Sequence, residues 1–188
     1  MYNVIYDIVL TFKGRYDMDT FFEQIVAIKK SGKSIAAVTG IWLLAIILTA
    51  ILLLFKIPVV SSFALFLICG IIFGAYKLTC LFNIEYEYII TNGTFDVDKI
   101  INKSSRKRIL SFDLSNVSRL EKFNAGMLNS LNQKEITFAC NANDEEAYLL
   151  VAERDGKKPY YLIFAPEERL KGAIVKFVPK YISNSAFK

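Results

Sequence analysis

Hydrophobic residues cluster most densely between Ser34 and Phe82, where Lys56 and Lys77 are the only charged positions. Within that region SIAAVTGIWLLAIILTAILLLF (Ser34–Phe55) runs for 22 residues without a charge, and IPVVSSFALFLICGIIFGAY (Ile57–Tyr76) for another 20. A bilayer core of about 30 Å takes roughly 20 helical residues. The whole region as one helix would reach about 70 Å, so two spans fit and one does not. The break falls at Lys56 and Pro58. At mid-membrane a lysine costs about 2.5–3.5 kcal/mol and a proline withholds a backbone donor. At an interface the lysine reaches the headgroups and the proline suits the first turn of a new helix. The pattern predicts a transmembrane helical hairpin over 34–82, with helices over 34–55 and 57–79.

The flanks orient it. Lys29, Lys30 and Lys33 precede the first span and Lys77 closes the second, while the hairpin tip holds only Lys56. By the positive-inside bias both termini face the cytoplasm, placing the protein in the cell membrane as a multi-pass chain. Gly70 and Gly74 form a GxxxG step, and Ala36 and Gly40 repeat the spacing in the first span. Folded about residue 57, Gly40 lies level with Gly74, and Ala45 with Gly70. Small residues permit close helix approach, so Gly40, Gly70 and Gly74 are the expected packing positions, within one hairpin or between two copies. Neither span contains an acidic residue and the lysines sit at span ends, which argues against a transport path through this chain.

Upstream, DTFFEQIVAIKKSGKS predicts a short amphipathic helix. Thr20 and Glu23 have capping-box spacing, Lys29 and Lys30 suit a helix C-terminus, and Phe21, Phe22, Ile25, Val26 and Ile28 supply an apolar side. Such a helix would lie in the cytoplasmic interface or pack on the C-terminal domain, within an arm of residues 1–33. MYNVIYDIVLTF reads equally as a second interfacial helix or as a strand. It lacks the basic start of a signal peptide and carries Asp7 inside its apolar run.

From Asn83 the period shortens. EYEYIIT and TFDVDKII flank Asn92-Gly93, the strongest short hairpin signal. Asn102–Ser105 turns the chain again into RKRILSFD. LSNVSRLEKF extends the sheet with Leu114, Val117 and Leu120 inward, and EITFACN, AYLLVAER and PYYLIFA follow, the last two joined by Asp155-Gly156. The period then changes to that of a helix over 166–178, opened by Pro166 and two glutamates and closed by Pro179. Leu170, Ala173, Ile174, Phe177 and Val178 recur at helical spacing. The expected fold class is α+β: a two-helix transmembrane hairpin, then an antiparallel β-barrel or split sandwich over 83–188, capped by its last helix.

Composition narrows the chemistry. The 188 residues are 54% hydrophobic with a mean hydropathy of +0.36, above the usual soluble share of roughly 45–50%. A net charge of +5 without a dominating basic block gives no case for nucleic acid. There is no histidine, which removes Ser-His and Cys-His nucleophile pairs and imidazole metal ligands. Cys69, Cys80 and Cys140 form no CxxC pair, so neither a disulfide framework nor a zinc site is expected. No P-loop, GxGxxG or GxSxG motif occurs, and Asp144, Glu145 and Glu146 lack EF-hand spacing. No catalytic residue, cofactor or metal is expected. The sharpest candidate site is KSSRKR, where Lys103, Arg106, Lys107 and Arg108 cluster at a hairpin tip. Such cations can hold anionic lipid headgroups or an acidic partner, or simply guard a strand edge. Lys157 and Lys158 mark a second basic turn.

The segments YEYIITNGTFDV, SSRKRILSFDLSNVSRLE and YYLIFAPEERL resemble those of bacterial pleckstrin-homology-like membrane proteins, closest to an uncharacterised two-span family, over Ser34 to Lys180. In such domains a Tyr-x-Ile-Thr strand is followed by an Ile-Pro-Leu-Ser-x-Ile segment. Here that segment is Phe112-Asp113-Leu114-Ser115-Asn116-Val117, with Asp113 in place of the proline. The resemblance implies a PH-like barrel and carries no catalytic residue. The expected function is a non-enzymatic, membrane-anchored adaptor that presents the domain at the cytoplasmic face to a protein partner, to itself or to headgroups. The alternative is an accessory subunit of a transporter or membrane enzyme complex.

Overall fold

The computed structural model describes residues 20–54, 62–129, 136–141, 144–185 and 187. The hairpin tip with Lys56 and Pro58, and the run MYNVIYDIVLTF, lie outside them. The described elements begin with strand β1 (Phe21–Ala27), followed by helices α1 (Gly32–Leu54) and α2 (Ala64–Cys80). Seven strands come next: β2 (Ile84–Thr91), β3 (Thr94–Ile101), β4 (Ser105–Asp113), β5 (Val117–Lys122), β6 (Ile136–Phe138), β7 (Tyr148–Arg154) and β8 (Lys157–Phe164). Helices α3 (Glu168–Phe177) and α4 (Lys180–Ser183) close the chain.

β1 corrects the amphipathic helix expected at Thr20–Ile28. FFEQIVA has apolar residues at both helical and strand spacings, and over so short a run periodicity alone does not choose. Pairing chooses. β1 lies antiparallel to β2 from Phe21↔Thr91 to Ala27↔Glu85, with Phe22, Gln24 and Val26 turned inward. Thr20, read as a helix cap, donates its backbone N–H to Asn92 Oδ1 at 3.1 Å. The buried Gln24 amide locks the strand to the far end of the domain. Its Nε2 donates to the Ala165 carbonyl at 3.0 Å, and its Oε1 accepts from Glu167 N–H at 2.8 Å.

The helices are therefore inserted between two neighbouring strands of one sheet. The chain leaves β1 at Ala27 and re-enters beside it at Ile84, where Ile28 N–H bonds the Ile84 carbonyl at 3.1 Å. α1 has 23 residues, and only 6% of its most apolar stretch is buried. It is one helix long and apolar enough to cross a membrane; α2, with 17 residues, is a shorter apolar helix. Their lengths are about 35 and 26 Å. The two pack on each other, but not through the glycines. A Cβ added at Gly40, Gly70 or Gly74 would meet nothing within 4 Å, and the buried positions are Ala45 and Ala75. Depth along a span can be read from sequence spacing. The face turned to the neighbour cannot, because both helices are apolar all round.

Two four-stranded sheets enclose the core, in the orders β1-β2-β3-β4 and β5-β7-β8-β6. All neighbours are antiparallel except β6, which runs parallel to β8. Most of the strand runs and turns expected from Ile84 onward are observed, as are the inward Leu114, Val117 and Leu120, but LSNVSRLEKF does not extend the first sheet: Leu114–Asn116 make a single 3-10 turn and β5 pairs with β7 in the second. Between the sheets, Phe95, Phe164 and Tyr88 meet ring to ring: Phe95–Phe164 and Tyr88–Phe164 both have centroids 5.7 Å apart. α3 adds Leu170, Ala173 and Ile174 at helical spacing. The second sheet is also buried on its other face, where Leu149, Val151 and Ile163 pack under Phe123, Met127 and Leu128. That double burial explains the unbroken apolar run of AYLLVA.

The β2–β3 turn requires its glycine. Gly93 has φ +88°, and a Cβ there would sit 3.0 Å from the Phe177 ring of α3. Gly93→Ala is expected to destabilise the fold by roughly 1–2 kcal/mol from left-handed strain alone, with the contact adding to it. Gly156→Ala, at φ +64° with nothing within 4 Å, should cost less. Thermal unfolding of the two variants compares them.

Candidate interaction surface on the first sheet

The outward face of the first sheet gathers the charged residues of β1 to β4. From the pairing, Glu23 lies opposite Ile89, Glu87 opposite Asp98, and Asp96 opposite Ser111. Regular alternation in β4 would turn Arg108 inward with Leu110 and Phe112. A bulge intervenes: Val97 faces Leu110, yet the next β3 residue, Asp98, faces Arg108. The extra residue, Ile109, re-aims Arg108 outward, as bulges do. Its Nη1 and Nε then lie 3.0 Å from Asp96 Oδ2 and Asp98 Oδ1.

Arg106, two residues earlier, pairs with Glu87 through Nη1–Oε2 at 2.9 Å. The Glu87 side chain is 0% exposed and that of Arg106 58%. Neither Glu87 oxygen accepts a well-directed hydrogen bond from the described residues, so the contact is an off-axis ion pair rather than a bidentate fork. Burial pushes the Glu87 carboxyl above its usual range, and the Glu23 carboxyl, able to share a proton with it, pushes the same way. Arg106 opposes them only in part.

The four cations expected at the hairpin tip are thus divided. Arg106 sits against Glu87, and Arg108 against Asp96 and Asp98, so their positive charge is answered by neighbours. Lys103 lies in the turn with φ +55°, next to Asn102 at +52°. Lys107, opposite Lys99, is exposed and forms no ion pair among the described residues. Sequence reading missed the acidic half of this arrangement. A signal was present, since folding EYE, DVD and RKR about their two turns stacks carboxylates against arginines. The bulge has no such signature.

Along the outer edge of β1, with no further strand beside it among the described residues, runs a second feature. Two open cavities of about 680 and 570 Å³ lie end to end there. Phe21–Gln24 with α3 line the first; Gln24–Ala27, the turn at Asp144–Glu146 and the start of α3 line the second.

A family model described as a bacterial PH-like domain, DUF6106, matches residues 18–184, from just before β1 to just past α4. The chain belongs to that family. The match takes in β1 and the inserted helices as well as the strands beyond them, so the PH-like unit starts upstream of the apolar hairpin. No curated protein and no solved structure matches the chain.

The PH-like domain holds one thiol in its interior. Cys140 is buried under the outer layer of the second sheet, and burial raises its pKa from 9.0 to about 11, with Asp144 adding to the shift. A shift of that size cuts the reactive thiolate about a hundredfold at neutral pH. Cys140 should stay unmodified by a water-soluble maleimide in the folded chain and react after unfolding, as peptide mass spectrometry will show.

Proposed function

We propose that this PH-like protein is a non-enzymatic, membrane-anchored adaptor whose domain is held at the cytoplasmic surface by a two-span hairpin. One observation carries the reading: α1 and α2 are inserted between β1 and β2, which are hydrogen-bonded neighbours. Both strands belong to one sheet on one side of a membrane, so a chain that crosses through α1 has to cross back before Ile84. α2, lengthened by the flanking Phe63, Leu81 and Phe82, supplies the return. Lys29, Lys30, Lys33 and Lys77 at the strand-side ends of the helices favour a cytoplasmic domain.

The same insertion leaves only residues 28–31 and 81–83 between domain and helices. Both ends of so short a tether are pinned, which fixes the height and facing of the domain and raises the effective concentration of membrane-bound partners. A protein partner is favoured over anionic headgroups, because Arg106 and Arg108 are already neutralised by carboxylates. An accessory subunit of a transporter or membrane enzyme complex is the alternative form of the same role.

Topology and role are tested together. A fluorescent reporter after Lys188 should be active inside the cell, and a cysteine placed within 55–61 should react with an impermeant maleimide from outside. A reporter active only outside sinks the orientation. Affinity purification from native membranes should recover a stoichiometric membrane partner; purified chain that binds anionic vesicles through Lys103 and Lys107, and recovers no partner, overturns the adaptor reading.

A further inference from the structure

The first sheet stands with one end toward the helices. β1 runs into α1 through residues 28–31, and α2 runs into β2 through 81–83. The β2–β3 turn at Asn92-Gly93 therefore lies at the far end of the sheet, and the β3–β4 turn, Asn102–Ser104, at the near one. The near turn is tied to the helix itself. Asn83 N–H donates to the Cys80 carbonyl at the end of α2, at 3.2 Å, and Asn102 N–H donates to the Asn83 carbonyl at 2.8 Å. Lys103 is the next residue. Across the same end, Ile28 bonds Ile84, and Lys29 N–H donates to Asn141 Oδ1 at 2.7 Å. Lys29 and Lys103 thus flank the α2–β2 link, about two strand spacings, or roughly 10 Å, apart.

Lys103 occupies that place in a strained conformation. Both turns reverse the chain through two residues of left-handed φ: Asn92 at +50° and Gly93 at +88°, then Asn102 at +52° and Lys103 at +55°. Asparagine tolerates that region and glycine enters it freely, but a lysine Cβ crowds the neighbouring carbonyl oxygen. Glycine is the residue such turns favour after asparagine. The chain has it at the far end and has lysine at the near one. Strain kept at an exposed turn points to a use for the side chain. Lys103 is exposed and, like Lys29, Lys30 and Lys33, forms no ion pair among the described residues.

We propose that Lys103, with Lys29 and Lys30 beside the same link, binds the phosphates of anionic phospholipids in the cytoplasmic leaflet and so fixes how the first sheet stands on the membrane. The proposal deepens the membrane-anchored reading and rests on it. The headgroup layer is roughly 5–8 Å deep on each side of the hydrocarbon, and lysines at span ends extend into it. Basic residues beside a span are drawn to an anionic leaflet within about a Debye length. Glu85, one residue further into β2, is outnumbered by these lysines. Arg106 and Arg108 take no part, since carboxylates further along the sheet already answer them. The charged outer face is thereby left to a protein partner.

Lysine methylation of the full chain in lipid nanodiscs decides it, with formaldehyde and dimethylamine-borane as uncharged reagents. One set of discs holds phosphatidylcholine alone and the other adds phosphatidylglycerol. Mass spectrometry should find Lys103 modified about fivefold more slowly in the anionic discs, with Lys157 of the β7–β8 turn changed less than about twofold, and high salt should remove the difference. Lys103→Gly should melt higher than the parent in the zwitterionic discs, because the strain is gone, yet lose part of the stabilisation that anionic lipid gives the parent. Lys103→Arg should keep that stabilisation. Equal Lys103 rates in the two kinds of disc overturn the proposal, as does a Lys103→Gly chain that anionic lipid stabilises as strongly as the parent. Failure of the anchored reading shows separately, as release of the chain from native membranes by alkaline carbonate.

Discussion

Phe164→Ala should lower the stability of the PH-like domain by about 3–5 kcal/mol, a large share of the 5–15 kcal/mol that a whole domain usually has. Phe164 is fully buried at the centre of the aromatic cluster, touching Tyr88 edge-on at 5.7 Å and Phe95 at 5.7 Å. Truncation leaves a cavity that neither sheet can close, because Phe164 sits on β8, held between β7 and β6. It also disturbs Tyr88, whose hydroxyl donates to the Ala139 carbonyl at 2.6 Å and so links the first sheet to the second. Phe138→Ala is the control: that ring is 43% exposed, and surface substitutions stay within about 0.5 kcal/mol. Denaturant titration followed by near-ultraviolet circular dichroism measures both; equal midpoints would refute the assigned core.

Arg106→Ala should be the most damaging change among the surface charges, at roughly 1–3 kcal/mol near neutral pH. Breaking a buried pair from one side usually costs more than that, but Arg106 is more than half exposed and water replaces part of what it supplies. Glu87→Gln in the same background should recover most of the loss, because no buried charge then needs a partner. The pH dependence has a definite sign. The folded-state pKa of Glu87 lies above its ordinary value of 4.5, so between the two the folded state binds more protons than the unfolded one. Its contribution is intact below about 4.5 and is lost as pH rises through the folded pKa. Stability of the parent chain relative to Glu87→Gln should therefore fall as pH climbs through that window. A rise would show that the carboxylate is stabilised where it lies.

Much of the domain was legible because its signals are local. Asn92-Gly93, the alternation of Leu110 and Phe112, and the helical spacing of Leu170, Ala173 and Ile174 each depend on residues near one another in the chain. The failures involve choices made at a distance. FFEQIVA reads as helix until β2 arrives after the hairpin to pair with it. Gly40, Gly70 and Gly74 lie where spacing put them, but the rotation of one helix on the other turns Ala45 and Ala75 to the contact instead. In the candidate site the arginines were visible and their carboxylate partners were not, since the bulge at Ile109 and the burial of Glu87 appear only once three strands stand side by side. The groove beside β1 was invisible for the same reason, its two walls being far apart in the sequence.

The position of the apolar hairpin makes it removable by splicing. A fragment starting at Asn83 would lack β1 and leave the Ala165 carbonyl and the Glu167 amide without Gln24. Ile28 and Ile84, by contrast, already form a hydrogen-bonded pair at the ends of adjacent antiparallel strands, the geometry that a two-residue Asn-Gly turn closes. Joining Ile28 to Ile84 through such a turn would delete both helices and keep the eight described strands, giving a domain without its long apolar segments for crystallisation and partner screening.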